Sequence, residues 1–319
     1  MRLSVLTEAL ECEIIGKGNG NGNADPTVTG IAYDSRAVEN GYLFAALPGE
    51  HVDGRVFIKG AVEKGASCVL ALAPLPDAGV AQVIVPDIRV ALSKVSDRFY
   101  SSPSKRLVLV GITGTNGKTT TTYLIESILR EAGFNPGVIG TVNYRYGGRV
   151  YSAPHTTPQA PDLHRILGDM AARGVTHCVM EVSSHSLEQR RVADCAFRAG
   201  IFTNLTHDHL DYHKTMDEYF RCKSMLFESI KASGGYSIIN IDDPWGERLK
   251  AAFPEAVTYG LKKSADVFPE EFRLKDGATE AVISTPAGPL SISAHLVGEY
   301  NLYNILAGVS AAVTLGIET

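Results

Sequence analysis

The sequence has 319 residues, more than a single hydrophobic core usually serves, so we expect two domains. Hydrophobic residues make up 45% of the chain and charged residues 20%, which excludes a disordered protein and is ordinary for a folded one. The net charge of −5, with no run of Lys and Arg, argues against nucleic acid as a partner.

The first part of the chain, residues 1–105, is predicted to form a small α/β domain. A stretch rich in Gly and Asn, residues 17–26, is typical of an irregular loop. After it, β-branched and aromatic runs alternate with helical spacing. The predicted strands are residues 28–33, 42–47, 68–72 and 82–85, and the predicted helices are residues 56–64 and 88–100.

A polar stretch with a central proline, residues 101–106, marks the predicted boundary to a second domain, residues 106–319. Strand-like and helical runs alternate beyond it, which predicts a mainly parallel sheet with helices on both faces. The predicted strands are residues 107–112, 176–182, 197–204 and 236–241, with a hairpin over 282–293, and the predicted helices are residues 119–132, 162–173 and 305–315.

The strongest chemical signal is GITGTNGKTTTTYLIESIL, residues 111–129, between a buried strand and an amphipathic helix. Gly114 and Gly117 allow backbone N–H groups to approach phosphate oxygens, Lys118 can reach the terminal phosphates, and Thr119 can hold Mg²⁺. Because Ile112 stands where the longer phosphate-loop motif has glycine, the match is to the shorter G-T-x-G-K-T form. The alternative is a glycine-rich turn without nucleotide.

Two further clusters follow predicted strands. Glu181 ends one strand, where a parallel sheet would bring it to the same edge as the phosphate loop, as a second ligand of Mg²⁺. The loop FTNLTHDHLDYH, residues 202–213, carries three histidines and two aspartates. By itself it is equally compatible with zinc and with a polar loop. Beside a nucleotide, one histidine on Mg²⁺ or Mn²⁺ is the better interpretation.

Four blocks of sequence together resemble the Mur ligase family. They are GTNGKTT at residues 114–120, TTP at 156–158, MEVSSHSL at 180–187 and NLTHDHLDYH at 204–213. The likeness is most specific to the branch that adds the third amino acid to UDP-N-acetylmuramoyl-L-Ala-D-Glu. Residues 33–58 resemble the UDP-binding domain of the family, and the second domain resembles its ATPase domain.

The resemblance implies roles for individual residues. For the UDP end of the substrate it implies Tyr33, Ser35, Glu50, His51 and Val52. For ATP it implies Gly114, Thr115, Asn116, Gly117, Lys118, Thr119 and Thr120, with Asn301 and Asn304 near the base. For the muramoyl peptide and its diphosphate it implies Thr156, Thr157, Ser183, Gln189 and Arg191, with His155 beside them, where relatives often carry Asn or Leu. For two Mg²⁺ ions it implies Thr119, Glu181, His209 and Lys223.

Lys223 shows how the resemblance changes an interpretation. Its place in a predicted helix is typical of a solvated lysine. The resemblance instead implies a lysine carbamylated by CO₂, whose anionic oxygens can bind Mg²⁺. Together with Lys118 and His209, it is then a candidate catalytic residue.

The implied reaction begins when the D-Glu carboxylate attacks the γ-phosphate of ATP and forms an acyl phosphate. The amine of the incoming amino acid, diaminopimelate or L-lysine, then displaces phosphate. The rival interpretations are MurF, a folylpolyglutamate synthetase, or a nucleotide-binding module without activity. The family has a third domain that selects the amino acid, so we expect the sequence to be a fragment that ends before it.

The remaining features concern compartment and assembly. Five cysteines without a C-x-x-C pair argue against disulfides and a thiolate zinc site. The first ten residues lack a signal-peptide core, and no stretch approaches 18 uninterrupted apolar residues. We therefore expect a cytoplasmic protein without membrane contact, and a monomer.

Overall fold

The structure is a computed structural model that describes residues 1–16, 25–49, 52–76, 78–208, 210–262, 264–275 and 277–318. The helices are α1 (Leu3–Thr7), α2 (Ile58–Glu63), α3 (Ile88–Phe99), α4 (Lys118–Glu131), α5 (Ala160–Ala172), α6 (Ser184–Glu188), α7 (Leu210–His213), α8 (Met216–Ser233), α9 (Pro244–Ala252) and α10 (Glu299–Thr314). The strands are β1 (Glu13–Ile15), β2 (Gly30–Ala32), β3 (Tyr42–Ala45), β4 (Cys68–Ala71), β5 (Ala81–Ile84), β6 (Val108–Thr113), β7 (Pro136–Ile139), β8 (Asn143–Tyr146), β9 (Arg149–Ser152), β10 (His177–Glu181), β11 (Phe197–Phe202), β12 (Tyr236–Asn240), β13 (Val257–Tyr259), β14 (Phe268–Lys275), β15 (Ala278–Ser284) and β16 (Leu290–Ala294).

The chain folds into two compact units. The first contains Met1–Pro103 and takes in two later segments, Gln159–Ile166 and Gln189–Cys195. The second contains the remainder, which is Ser104–Pro158, Leu167–Glu188 and Ala196–Thr319. The assignment of UDP binding to residues 1–105 and of ATP binding to residues 106–319 stays a prediction.

The first unit is built on a five-stranded sheet in the order β1-β5-β4-β3-β2. The four strands from β5 to β2 are parallel, and β1 is antiparallel to β5. Strand β4 is buried along its whole length, as expected for a central strand covered on both faces. Helix α3 begins at the N-cap Asp87, whose carboxylate accepts hydrogen bonds from the backbone N–H groups of Arg89 and Val90.

The second unit contains an eight-stranded sheet in the order β13-β12-β11-β6-β10-β7-β8-β9. Its strands are parallel from β13 to β7, which confirms the predicted mainly parallel sheet, and β8 and β9 add an antiparallel edge. Strand β6 lies between β10 and β11, so the segments that follow these three strands meet at one edge of the sheet.

A separate antiparallel sheet in the second unit has the order β14-β15-β16. The predicted hairpin over residues 282–293 is present, with Ile283 opposite Leu290. Helix α10 begins at Glu299, six residues before the predicted start. Within the described ranges, no helix is long and apolar enough to cross a membrane.

Candidate functional site

The loop between β6 and α4 has a backbone that requires glycine at two positions. Gly114 has φ of +144° and Gly117 has φ of +86°. A Cβ at Gly114 would lie 1.9 Å from Thr203 Oγ1, and one at Gly117 would lie 2.4 Å from Asn304 Oδ1. The loop is therefore packed against neighbouring segments so closely that only glycine fits.

Hydrogen bonds from both backbone and side-chain groups fix this loop to the segment after β11. The N–H of Thr115 donates to the carbonyl of Asn204 (2.8 Å), and the N–H of Asn116 donates to Asn204 Oδ1 (3.0 Å). Thr203 Oγ1 donates to the carbonyl of Asn116 (2.7 Å). Thr203 and Asn204 were not among the predicted site residues, although both belong to the block FTNLTHDHLDYH.

Two lysines converge on one carbonyl of the loop. Lys118 Nζ donates to the carbonyls of Gly114 (2.9 Å) and Thr115 (2.8 Å), and Lys223 Nζ donates to the same Gly114 oxygen (2.8 Å). Lys223 is only 2% exposed, so the solvated interpretation of this residue is wrong. Its position on α8 brings its amine into contact with the loop.

The pKa values of both lysines are lowered. Burial lowers the pKa of Lys118, while the carboxylates of Glu181 and Asp208 act in the opposite direction. Burial also holds the pKa of Lys223 well below its ordinary value, and the positive charge of Lys118 lowers it further. The Lys223 amine is thereby favoured in its neutral, nucleophilic form.

Glu181 lies at the end of β10 with only 1% of its surface exposed. Its Oε1 accepts hydrogen bonds from Thr119 Oγ1 (2.9 Å) and from the N–H of Thr141 (2.9 Å), and its Oε2 accepts one from Thr141 Oγ1 (3.0 Å). Thr141 Oγ1 is also 3.1 Å from Thr156 Oγ1. Thr141 was missed by the sequence interpretation because its position depends on β7, which was not predicted.

Thr157 joins the backbone of Glu181 to that of Ser183. Its hydroxyl donates to the backbone carbonyl of Glu181 (2.9 Å) and accepts a hydrogen bond from the N–H of Ser183 (3.1 Å). His155 lies two residues before Thr157, and its backbone carbonyl accepts a hydrogen bond from the Tyr144 hydroxyl. These segments therefore meet at the same sheet edge as the phosphate loop.

Two cavities border the loop. One, of about 350 Å³, is polar and is lined by Thr115, Asn116, Gly117, Lys118, Thr119, Thr120, Thr141, Thr156, Glu181 and Ser183. The other, of about 560 Å³, is lined by Asn116, Gly117, Thr203, Asn204, Thr206, Asn240, Asp242, Asp243, Pro244, Tyr259, Tyr300, Tyr303 and Asn304. Asn301 does not line it, but its Oδ1 accepts a hydrogen bond from Asn304 Nδ2 (3.2 Å) and so orients Asn304.

Several candidate residues of the first unit form hydrogen bonds with other residues of that unit. The Tyr33 hydroxyl donates to Asp162 Oδ2 (2.7 Å), and its pKa is raised by burial and by that carboxylate. Arg191 Nη2 donates to Gln189 Oε1 (2.7 Å). The backbone carbonyl of Ser35 accepts a hydrogen bond from Lys64 Nζ (3.1 Å).

Other predicted residues are exposed or lie outside the description. Val52 is 49% exposed. Glu50, His51 and His209 lie outside the described residues. His213, from the histidine-rich loop, is buried, and its Nε2 lies 2.8 Å from Ser184 Oγ.

Comparisons with family models, curated proteins and solved structures all match the chain to Mur ligases. A family model for the Mur ligase middle domain matches residues 112–312, and one for the Mur ligase family, catalytic domain, matches residues 27–100. The UDP-N-acetylmuramoyl-L-alanyl-D-glutamate–2,6-diaminopimelate ligase of Geobacter metallireducens is 43% identical over 313 residues, which cover 96% of this chain and 61% of that protein.

Solved structures agree. A structure of a UDP-N-acetylmuramoyl-L-alanyl-D-glutamate–2,6-diaminopimelate ligase has a TM-score of 0.83 and 29% identity, and the match covers 91% of this chain and 60% of that one. MurF ligase from Thermotoga maritima in complex with ADP has a TM-score of 0.64, 19% identity, and coverage of 91% and 64%, which shows the shared fold. The chain thus spans about three fifths of the length of the relatives it matches.

Proposed function

The chain belongs to the Mur ligase family, and on this premise we propose that it supplies the UDP-substrate and ATP-binding parts of a ligase of the MurE branch. The proposed reaction adds the third amino acid to UDP-N-acetylmuramoyl-L-Ala-D-Glu in peptidoglycan synthesis. The names of the relatives support 2,6-diaminopimelate as that amino acid. The observation that carries the proposal is that Lys118, Lys223 and the Glu181–Thr119 pair meet at the glycine-containing loop between β6 and α4.

We infer that the polar cavity holds the phosphates of ATP and that the cavity beyond Asn116 holds its nucleoside. Lys118 now donates to two carbonyls of its own loop, and phosphate oxygens would replace them as acceptors. The amide groups at the start of α4 add the positive end of a helix dipole. Positioning and charge neutralisation are the main requirements of phosphoryl transfer.

The donor set at Glu181 fits Mg²⁺. A carboxylate and the hydroxyl of Thr119 are hard oxygen ligands, and they are 2.9 Å apart here through a hydrogen bond that a shared ion would replace. His209 is the further ligand that we propose. Bound Mg²⁺, with Mn²⁺ as a substitute, would offset charge on the transferring phosphoryl group.

We propose that Lys223 carries a carbamate in the active enzyme. Its neutral amine would attack CO₂, form an N–C bond and release one proton to solvent, leaving an anion beside Lys118. Burial protects the neutral amine, and Lys118 would then pair with the new negative charge. The anion would supply oxygens to a second Mg²⁺.

In the proposed reaction the D-Glu carboxylate attacks the γ-phosphorus, ADP leaves, and the amine then displaces phosphate from the acyl phosphate. Thr156, Thr157, Ser183, Gln189 and Arg191 are proposed to hold the muramoyl peptide and its diphosphate, beside His155. Tyr33, Ser35, Glu50, His51 and Val52 are proposed to hold the uridine end. We propose a monomer that acts in the cytoplasm, where ATP is available.

Two measurements test the proposal. ADP release by the full-length protein should require UDP-N-acetylmuramoyl-L-Ala-D-Glu and diaminopimelate, and folates should give none. Calorimetric titration of residues 1–319 should detect binding of the UDP-muramoyl dipeptide. A folate-dependent rate would favour a folylpolyglutamate synthetase, and ATP binding without any ligase activity would favour a nucleotide-binding module.

A further inference from the structure

Three helices of the second unit bring a carboxylate, an imidazole and a thiol together, apart from the phosphate loop. Glu188 ends α6, His213 ends α7, and Cys222 lies within α8. One ligand atom from each lies within 4.8 Å of the others. His213 and Cys222 are buried while Glu188 is exposed, so the cluster is enclosed on the protein side and reachable from solvent.

Two side chains of α6 lie beside the imidazole of His213, which itself belongs to α7. Ser184 and Glu188 are four residues apart, on one face of α6, and both approach the ring. Nε2 lies 2.8 Å from Ser184 Oγ, and Nδ1 lies 3.8 Å from Glu188 Oε2. In the tautomer with the proton on Nε2, this nitrogen donates to the hydroxyl and Nδ1 faces the carboxylate. Metal-binding histidines usually have this arrangement, in which the second nitrogen is held by a neighbour.

The separations suit a shared ion better than a direct contact. The 3.8 Å between Nδ1 and the carboxylate oxygen is too long for a hydrogen bond. Two ligands of one tetrahedral zinc ion, at bond lengths of about 2.0–2.3 Å, lie roughly 3.3–3.7 Å apart. The imidazole and the carboxylate are therefore nearly at the separation that a shared ion requires, and the Cys222 sulfur, which lies within 4.8 Å of both, completes the set after a side-chain adjustment.

We propose that Glu188, His213 and Cys222 form a binding site for a divalent transition-metal ion of the zinc class, with water as a fourth ligand. The thiol loses its proton to solvent as the metal–sulfur bond forms. Thiolate and imidazole select such ions over Mg²⁺, which prefers oxygen. The site is therefore chemically distinct from the oxygen donors at Glu181.

The location gives the site a route to the phosphate loop. The Tyr219 ring stacks on His213, with centroids 4.9 Å apart and planes 20° apart. Its hydroxyl is 3.3 Å from Thr115 Oγ1 in the loop. An ion on His213 would thus be separated from the loop by a single aromatic side chain.

Cobalt(II) provides the test, because a thiolate ligand gives Co²⁺ a charge-transfer absorption in the near ultraviolet that oxygen ligands do not give. Titration of the purified chain with Co²⁺ should produce this band, Zn²⁺ should remove it at one equivalent, and excess Mg²⁺ should leave it unchanged. Absence of the band, or its loss with Mg²⁺, would overturn the proposal.

Variants locate the ligands. Cys222→Ser should abolish the band, whereas Cys178→Ser, the same change at a buried cysteine in β10, should keep it. Ser184→Ala, which removes only the group that orients His213, should weaken Zn²⁺ binding by about 10- to 100-fold. If Cys222→Ser fails to fold, Glu188→Gln decides, because its side chain is exposed: an unchanged Zn²⁺ affinity would refute the site, as would a band that persists in folded Cys222→Ser.

Discussion

Substitution of Gly114 by alanine tests the geometry of the phosphate loop. The new Cβ would lie 1.9 Å from Thr203 Oγ1 and 3.0 Å from the backbone oxygen of Asn204. Moving Thr203 would also disturb its 2.7 Å hydrogen bond to the carbonyl of Asn116. The substitution therefore combines steric overlap, the loss of a hydrogen bond, and a positive φ that alanine tolerates poorly.

The magnitude follows from these three contributions. Overpacking costs about 1–3 kcal/mol, the positive φ about 1–2 kcal/mol, and the hydrogen bond about 1 kcal/mol. Because the loop can relax in part, we expect the free energy of unfolding to fall by about 2–5 kcal/mol. Affinity for ATP should fall as well, since the altered backbone is the one proposed to contact phosphate.

Gly133→Ala is the matched control. Gly133 follows the other end of α4 and also has a positive φ, +80°, but a Cβ there would meet nothing within 4 Å. It should cost only the conformational contribution of about 1–2 kcal/mol and leave ATP binding unchanged. Urea unfolding and calorimetric titration with a non-hydrolysable ATP analogue measure both effects. A Gly114→Ala variant no less stable than Gly133→Ala, with normal affinity, would refute the close packing of the loop.

Four further predictions concern single side chains. Lys118→Ala should reduce ATP turnover of the full-length enzyme by at least about 10³-fold with its circular dichroism unchanged, and a normal rate would exclude the proposed phosphate contact. Lys223→Ala should be almost inactive, unaffected by bicarbonate but partly rescued by short carboxylic acids, whereas a fully active variant would exclude the carbamate. Thr157→Val should lower the free energy of unfolding by about 1–3 kcal/mol in urea titrations, because it leaves the partly buried N–H of Ser183 without this hydrogen bond, and an unchanged midpoint would contradict that contact. Burial lowers the pKa of His164 from 6.5 to about 4, so the unfolded chain takes up a proton at a higher pH than the folded chain does. The free energy of unfolding should therefore fall by up to about 3 kcal/mol as the pH drops from about 6.5 to 4. His164→Gln should flatten this dependence, and a wild-type stability that is constant over that range would refute it.

The sequence predicted the placement of two local features, whose roles in binding stay predictions. The phosphate loop was recognisable because its glycines, its Lys-Thr pair and the strand and helix around it are contiguous. Glu181 followed from the rule that parallel strands end at one edge. By contrast, Thr141 belongs to no motif, and Asn204, although it opens the block NLTHDHLDYH, contributes through contacts with the loop that only tertiary packing creates.

Two omissions had signals that were present in the sequence. Strands β8 and β9 are joined by Gly147 and Gly148, both with positive φ, and a Gly-Gly pair between short strands is a hairpin pattern. Lys223 lies four residues after Tyr219 and three before Leu226, which places it on the apolar face of its helix. The sequence interpretation gave more weight to the general exposure of lysine than to this spacing.

The way the first unit is assembled limits how the chain can be divided. Tyr33 donates its hydroxyl to Asp162, which belongs to a segment more than a hundred residues downstream. Proteolytic cleavage near residue 105 would cut the backbone without releasing a complete first unit, because Gln159–Ile166 and Gln189–Cys195 would remain attached to the other product. Residues 1–105 expressed alone would expose the surface that those two segments cover. A complete first unit would form only if the two segments were supplied separately and bound to it.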